Sequence, residues 1–458
     1  MRLSLESIAS AMGAIGDFET GTKQDVCGVQ TDSRLVQPGD LFVCIAGRNM
    51  DGHLFAAEAA KKGACAVVAH TPLTDLVPDI PVLLVRNTLE ALGQLAAYWR
   101  SKTRATVIGV TGSAGKTTVK EMLTSVLELV GETAKNYKNW NNQLGLPLSI
   151  LQCSGKEHFW VMEAGISRPG DMDDLGRVLR PEYVLINNIG PCHLDGFKDI
   201  AGVARAKASL VEYMQSGGMV IANGDYPLLV EEITSRTALV RFCSTRTPES
   251  PFFAQYTGAD EQGYGLFTLV LDRESLHARL PLTGRDMAED LIAVATLAYS
   301  LGIPAKTIIK GLGAYVPVGQ RFCIQSREEW TVIDDTYNAN PLSMHGAILR
   351  AAALDVSKPL VLVLGEMKEL GAYAAQAHQD LGTWVRESGS MTLFFVGEHD
   401  ADVRKGLKGW QGSFVPLTSP GHFKKELSLL EGKGIMLFKG SRSCHMEEYL
   451  KVLSGSEA

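Results

Sequence analysis

The sequence predicts an α/β protein of three units in a row, and three observations carry that prediction. Its 458 residues, at roughly 150 per domain, give a prior of about three domains. Its 46 glycines fall repeatedly behind short β-branched runs, where a strand turns tightly into a helix. Strand-length apolar runs then alternate with helical stripes toward the C-terminus, with no internal repeat and no low-complexity tract.

The first unit, residues 1–85, is read from a strand over 40–45, a helix over 55–62 and a strand over 64–69. Residues 88–100 carry Leu89, Leu92, Leu95, Ala96 and Trp99 on one helical stripe, expected to pack between this unit and the next. The central unit, residues 86–314, opens with a strand over 105–110, a glycine-bearing loop and a helix over 117–130; strands over 158–162 and 183–187 follow. The apolar stretch 291–303 is broken by Thr296, Tyr299, Ser300 and Gly302, which fits a core helix rather than a membrane span. Residues 313–319, with Pro317 between glycines, read as a linker. The last unit, residues 315–458, alternates again, with strands near 331–334, 360–364, 392–396 and 435–438.

A formal charge of -7, from 44 Lys+Arg against 51 Asp+Glu, lacks the basic excess of a nucleic-acid or anionic-membrane binder. Any bound anion must be held locally. Glu6 falls where a signal peptide needs apolar residues. The eight cysteines lie at wide, irregular spacings without a Cys-x-x-Cys pair, so neither a zinc knuckle nor a disulfide framework is expected. A soluble protein of the reducing cytoplasm is the expectation.

The densest chemistry lies at Thr111, Gly112, Ser113, Ala114, Gly115, Lys116, Thr117 and Thr118, between a predicted strand and a predicted helix. Backbone N–H groups at a helix N-terminus present partial positive charge, Lys116 adds a full charge for the outer phosphates, and Thr117 offers a hydroxyl to Mg²⁺. ATP is the expected ligand, although Val110 stands where the common pattern has glycine. Metal-side groups of such loops sit at the carboxyl ends of neighbouring parallel strands, which makes Glu163 a candidate; a surface acid before Gly165 would read the same. His193, in the loop after the 183–187 strand, is either a ligand or a structural loop histidine. Ile200, Val203, Leu210, Val211 and Met214 form a helical stripe whose missing member is Lys207. A lysine on a buried face loses its proton more readily and can become a nucleophile or a CO₂-derived carbamate; a lysine snorkelling at a helix edge gives the same pattern.

With these residues in view, the chain resembles the Mur ligase family, ATP-dependent amide-bond ligases of peptidoglycan precursor synthesis, over nearly its whole length. Residues 111–118 resemble the family's phosphate loop, which lacks the outer glycine. Residues 139–147, Asn-Trp-Asn-Asn-Gln-Leu-Gly-Leu-Pro, resemble its Asn-x-Asn-Asn-x-x-Gly-x-Pro segment. Glu163 and His193 match its metal ligands, and Ala206-Lys207-Ala208 matches its carbamylated lysine. The resemblance implies a small N-terminal α/β substrate domain, a central P-loop ATPase domain with a mainly parallel sheet, and a C-terminal Rossmann-like domain.

At the chain ends, Thr31, Asp32, Ser33 and Arg34, then residues 38–43, resemble the UDP-sugar-binding domain of the late-acting members. Residues 334–341, 365–371 and 439–442 resemble the ligase that adds D-alanyl-D-alanine to the UDP-MurNAc-tripeptide, and the Asp-Asn-Pro-Arg motif of the diamino-acid-adding ligase is missing. The resemblance therefore implies ATP contacts at residues 111–118, Asn142, Arg321, Asp335 and Asn338. It implies substrate contacts at Thr31, Asp32, Ser33, Arg34, Asn139, Asn141, Asn340, Lys439, Ser441 and Arg442. Mg²⁺ would be held by Thr117, Glu163, His193 and carbamylated Lys207, and Lys116, Glu163, His193 and Lys207 would carry catalysis.

Two departures stand out. Where the family has Gly-Arg-His-Asn-x-x-Asn, residues 284–290 read Gly-Arg-Asp-Met-Ala-Glu-Asp, so Met287 and Asp290 replace two amides near the nucleotide. The junction Gly-Arg is here Gly319-Gln320-Arg321, and only Arg321 carries over. The implied protein is a monomer acting on two small molecules, UDP-MurNAc-tripeptide and D-Ala-D-Ala, with no nucleic-acid or membrane-inserted partner. Rival readings are a folylpolyglutamate synthetase, the diamino-acid-adding ligase, an ATP-switched binding module and a kinase.

Overall fold

The computed structural model describes residues 1–15, 25–47, 49–73, 80–327, 329–430 and 433–454. Three α/β bodies follow one another, each on a largely parallel sheet. The first carries four short parallel strands in the order Gly28–Gln30, Asp40–Val43, Ala66–Ala69, Val82–Leu84. The expected 55–62 helix is a 3₁₀ turn, Gly52–Phe55, running into a helix at Ala56–Lys61. A helix at Leu5–Met12, capped by the Ser4 hydroxyl, was not read from sequence.

The helix Thr88–Arg100 has the expected limits, its start fixed by Asn87 Oδ1, which accepts from Leu89 N and Glu90 N. Leu92, Leu95 and Ala96 are buried, in one apolar cluster that joins the first sheet to the central one through Val107, Leu146 and Trp160. The two units share a core across this helix. Its last residue, Arg100, is buried: Nε donates to Leu179 O at 2.9 Å, and Nη2 donates to Arg180 O and to Glu182 Oε1, both at 2.8 Å. Breaking a fully buried ion pair costs about 3–5 kcal/mol, and Glu182 is one-third exposed, so Arg100→Ala should lower unfolding stability by about 2–3 kcal/mol in a denaturant titration.

The central sheet is six parallel strands in the order Val240–Cys243, Met219–Asn223, Tyr183–Ile186, Thr106–Thr111, Phe159–Glu163, Thr133–Lys135. The strand that feeds the phosphate loop is therefore interior and buried. A three-stranded antiparallel meander, Phe252–Ala259, Gly265–Leu271 and Glu274–Leu280, packs with the helix Arg285–Ser300 onto one face. That helix is the expected core element, beginning six residues before the stretch read as apolar. The 200–214 stripe is not one helix. It ends at Ala208, where the Ser209 hydroxyl donates back to Ala206 O, and continues as a 3₁₀ turn over Ser209–Tyr213, while Ile200 is exposed.

After the helix Ala305–Gly313 the chain crosses residues 314–322 without regular structure, with Gly319, Gln320 and Phe322 all at positive φ. The C-terminal sheet runs Cys323–Arg327, Trp330–Asp335, Ile435–Lys439, Leu360–Gly365, Thr392–Val396, Ser413–Pro416, parallel except for its first strand. All eight cysteines are free thiols. Among the described residues no helix is long and apolar enough to cross a membrane.

Candidate active site

The interior strand Thr106–Thr111 delivers the phosphate loop at its carboxyl end, and the loop helix starts at Lys116. Gly115 stands at φ 75°, a left-handed conformation that glycine adopts without a Cβ penalty. The first N–H groups of a helix have no intrahelical acceptor and converge on one point, which makes this an anion site by construction. Lys116 Nζ donates to Gly112 O at 3.0 Å, which holds the ammonium over the loop. Asn188 braces the loop from the next strand end: its Oδ1 accepts from Ser113 N and Ala114 N at 3.1 and 2.9 Å.

Glu163 ends the neighbouring parallel strand, as expected, and is buried. Thr117 Oγ1 donates to its Oε2 at 2.8 Å, and Asn141 Nδ2 donates to its Oε1 at 2.7 Å. Burial alone would raise this carboxyl, but Lys116, Arg321, Lys120 and the Thr117 hydroxyl outweigh it, so Glu163 stays below the usual range and ionised. It is an oxygen donor fixed beside the phosphate loop. Asn136 holds the Glu163 backbone on both sides, accepting from its N–H at 2.5 Å and donating to its carbonyl at 3.2 Å.

Lys207 is 1 % exposed and enters no ion pair among the described residues. Burial lowers its pKa to about 8, with Cys192, Lys116 and Glu163 as the charged or ionisable groups that act on it. The phosphate loop, Glu163 and Lys207 thus lie close enough for Lys116 and Glu163 to act on the Lys207 amine. His193 sits next to Cys192 at φ 51°, with Nδ1 2.5 Å from Glu369 Oε2 of the C-terminal unit. The ring holds the Glu369 carboxyl below its usual range. Among the described residues there is no cluster of three His, Cys, Asp or Glu side chains able to hold a metal ion.

The C-terminal unit meets the loop at a second point. Asn340 caps the helix Pro341–Leu354, accepting from Ser343 N at 2.9 Å, while its Nδ2 donates to Ser113 O at 3.0 Å. Arg321 lies over the Tyr337 ring, 4.1 Å from its centroid. Asp335 accepts from Phe322 N at 3.2 Å and from Lys439 Nζ at 2.6 Å; Lys439 also donates to Asn338 O, and Asn338 Oδ1 accepts from Arg442 N. The Ser441 hydroxyl accepts from Lys368 N at 2.9 Å, tying residues 439–442 to the loop that carries Glu369. Asn142 Oδ1 accepts from Gly145 N, the first residue of the helix Gly145–Gln152, at 2.8 Å, and Asn139 is exposed.

In the first unit, Asp32 binds Arg34 through two parallel hydrogen bonds, from Nε at 2.9 Å and Nη2 at 2.6 Å. The Ser33 hydroxyl donates to Glu58, and Thr31 is half-buried. Met287 and Asp290 are both buried: Met287 packs in the apolar core, and Asp290 lies under the phosphate loop. Sequence reasoning assigned no role to Asn136, Lys120, Asn187, Asn188 or Glu369. The available signal for the asparagines was their position at the carboxyl ends of parallel strands.

Comparison with known proteins bears on this geometry. Residues 25–100, 110–298 and 320–442 match, in turn, the models of the Mur ligase family catalytic domain, the Mur ligase middle domain and the Mur ligase glutamate ligase domain. The UDP-N-acetylmuramoyl-tripeptide--D-alanyl-D-alanine ligase of Escherichia coli (strain K12) is 34% identical over 431 residues, covering 93% of both chains. That of Buchnera aphidicola subsp. Acyrthosiphon pisum is 32% identical and covers 92% of both. Among solved structures, MurF from Acinetobacter baumannii superposes with a TM-score of 0.90 at 28% identity, covering 100% of this chain and 99% of that one. MurF ligase from Thermotoga maritima in complex with ADP gives 0.84 at 26%, covering 93% and 97%. A folylpolyglutamate synthase from Thermotoga maritima, at 13% identity and a TM-score of 0.59, shares the fold alone. With three successive domain models and end-to-end relatives of this similarity, the chain belongs to the Mur ligase family.

Proposed function

We infer that this chain is the ATP-dependent ligase that adds D-alanyl-D-alanine to UDP-MurNAc-tripeptide in peptidoglycan precursor synthesis. The observation that carries the reading is the meeting of two units at one loop: Asn340 bonds to Ser113 and Glu369 to His193, so a phosphate-binding loop and the C-terminal motifs face a common space. The end-to-end relatives bearing that ligase name support it.

A carboxylate is a poor electrophile toward an amine at neutral pH, and phosphorylation removes that obstacle. In this mechanism the terminal carboxylate oxygen of the tripeptide attacks the γ-phosphorus of ATP, the bond to ADP breaks, and an acyl phosphate forms. The D-Ala-D-Ala amine then attacks the acyl carbon, loses a proton, and inorganic phosphate leaves through a tetrahedral intermediate. The protein's part is positioning and charge neutralisation. Lys116 and the loop N–H groups hold the β- and γ-phosphates; Asn142, Arg321, Asp335 and Asn338 complete the nucleotide site. Thr31 to Arg34 hold the UDP end, and Asn139, Asn141, Asn340, Lys439, Ser441 and Arg442 line the path of the peptide and the dipeptide.

The donor set suits Mg²⁺: an ionised, buried Glu163 carboxylate and the Thr117 hydroxyl 2.8 Å from it are hard oxygen ligands, and His193 with a carbamate on Lys207 would complete the set. Mg²⁺ bound there would neutralise charge between the acceptor carboxylate and the γ-phosphate. A monomer working in the cytoplasm is part of the same proposal. The test is substrate-dependent phosphate release: both UDP-MurNAc-tripeptide and D-Ala-D-Ala should be required, with glutamate or diaminopimelate as amine at least about a hundredfold slower. Turnover with glutamate at a comparable rate would move the chain to the folylpolyglutamate branch. ATP hydrolysis without either co-substrate would make it a nucleotide switch.

A further inference from the structure

Asp290 occupies a position where the family pattern has an amide, and the structure puts it against the phosphate loop rather than on an open surface. It is 3 % exposed. Its Oδ1 accepts from Asn187 Nδ2 at 2.8 Å, and the same Nδ2 donates to Ala114 O at 2.7 Å, so one amide nitrogen clamps the loop carbonyl to the acid. Because Ala114 O can only accept, the Asn187 amide nitrogen must face it, which turns Asn187 Oδ1 toward Gly112. A Cβ at Gly112 would stand 1.7 Å from that oxygen, and one at Gly115 would stand 2.5 Å from Asp290 Oδ1. The two loop glycines are seated on this pair.

We propose that Asp290 works as a neutral, proton-bearing acid that positions the phosphate loop as an amide would, and that its ionisation opposes nucleotide binding. The inference rests on the loop being the ATP site. Among the described residues no cation forms an ion pair with Asp290. Among the described residues, the charges that act on it are Asp286 and Glu289 of its own helix, both acidic, and Arg350 of the helix Pro341–Leu354, which offsets them; Tyr226 and Tyr315 also sense it. Burial raises its carboxyl to about 8, and the two neighbouring acids push the same way. An anion behind the loop would repel the phosphates that the loop N–H groups attract. Bound phosphate favours the protonated acid, so nucleotide binding above that pH takes up a proton.

The experiment is calorimetric titration of the full chain with ADP from pH 6.5 to 9.5, in buffers of different ionisation enthalpy, for wild type and Asp290→Asn. Lys207 titrates in the same range in both proteins, so only their difference reads Asp290. Wild-type affinity should fall more steeply, by up to about tenfold per pH unit above pH 8, with proton uptake that the variant lacks. The two should agree within about twofold at pH 6.5, where Asp290 is protonated and Asn is its isostere. Infrared difference spectra at pH 7 should show a protonated-carboxyl band that Asp290→Asn removes, and this readout needs no nucleotide. Parallel pH slopes in the two proteins, or the absence of that band at pH 7, would overturn the proposal. Failure of ADP to bind either protein at any pH would instead remove the phosphate-loop reading, leaving the infrared band to decide the protonation of Asp290.

Discussion

Lys116→Ala should abolish ligation while leaving the fold intact. The side chain is half-buried and, among the described residues, its hydrogen bond goes to Gly112 O of its own loop, so its removal opens no buried cavity. Point substitutions cost about 1 kcal/mol on average, part of it here from weaker compensation of buried Glu163, and the chain should still unfold cooperatively as a folded protein. Catalysis is another matter. Transferring the γ-phosphoryl group develops charge on oxygens that the loop must neutralise, and loss of one preorganised electrostatic contact costs about 10²–10³ in rate. Lys116 is also the cation that does most to offset the burial of Glu163. Without it the Glu163 pKa rises, so any residual activity should show its acidic limb at higher pH than wild type. Phosphate release measured with both co-substrates checks the first claim and its pH profile the second. Turnover above a few per cent of wild type would contradict the role given to the lysine.

Where the sequence was legible, a local pattern and its three-dimensional consequence coincided. The strand ahead of the phosphate loop, the helix behind it and the Glu163 strand end follow from apolar runs bounded by glycine and polar residues, and the structure places them within a residue or two, except that the helix ends three residues early, at Leu127. Helix Thr88–Arg100 was legible because its apolar stripe is uninterrupted. The 200–214 stripe misled because periodicity cannot see a 3₁₀ turn: Leu210 and Val211 remain buried in that tighter turn, so the apolar pattern persists after the α-helix has ended. Two of the interdomain contacts, Asn340 with Ser113 and Glu369 with His193, span 227 and 176 residues. No local pattern encodes a bond across such a separation. The same holds for Asp290, whose partner Asn187 lies 103 residues away, although the substitution itself was visible as a departure from the family pattern.

Lys207→Ala should lose about 10²–10³ of the ligation rate and recover part of it when a small carboxylate such as acetate is added. With a pKa near 8, about one Lys207 amine in ten is neutral at pH 7, against about one in three thousand for an ordinary lysine. Only the neutral amine adds to CO₂, so burial poises this lysine for carbamylation. The adduct replaces a costly buried ammonium with an oxygen donor of the kind Mg²⁺ takes, and metal binding would stabilise an otherwise labile group. Truncation to alanine leaves space at the same spot, which a free carboxylate can enter. Arg205 supplies the control: it lies two residues away, its side chain is 68% exposed, and among the described residues its ion pair is to Glu232 at 3.4 Å. Arg205→Ala should therefore keep activity within about twofold, since exposed pairs contribute little. Depleting bicarbonate should slow wild type reversibly and leave Lys207→Ala unchanged, and the intact mass of wild type under native conditions should carry one CO₂ that the variant lacks. Equal losses at both positions, or an active wild-type enzyme whose Lys207 remains an unmodified amine, would remove the carbamate from the mechanism and leave Thr117, Glu163 and His193 as the protein's ligands.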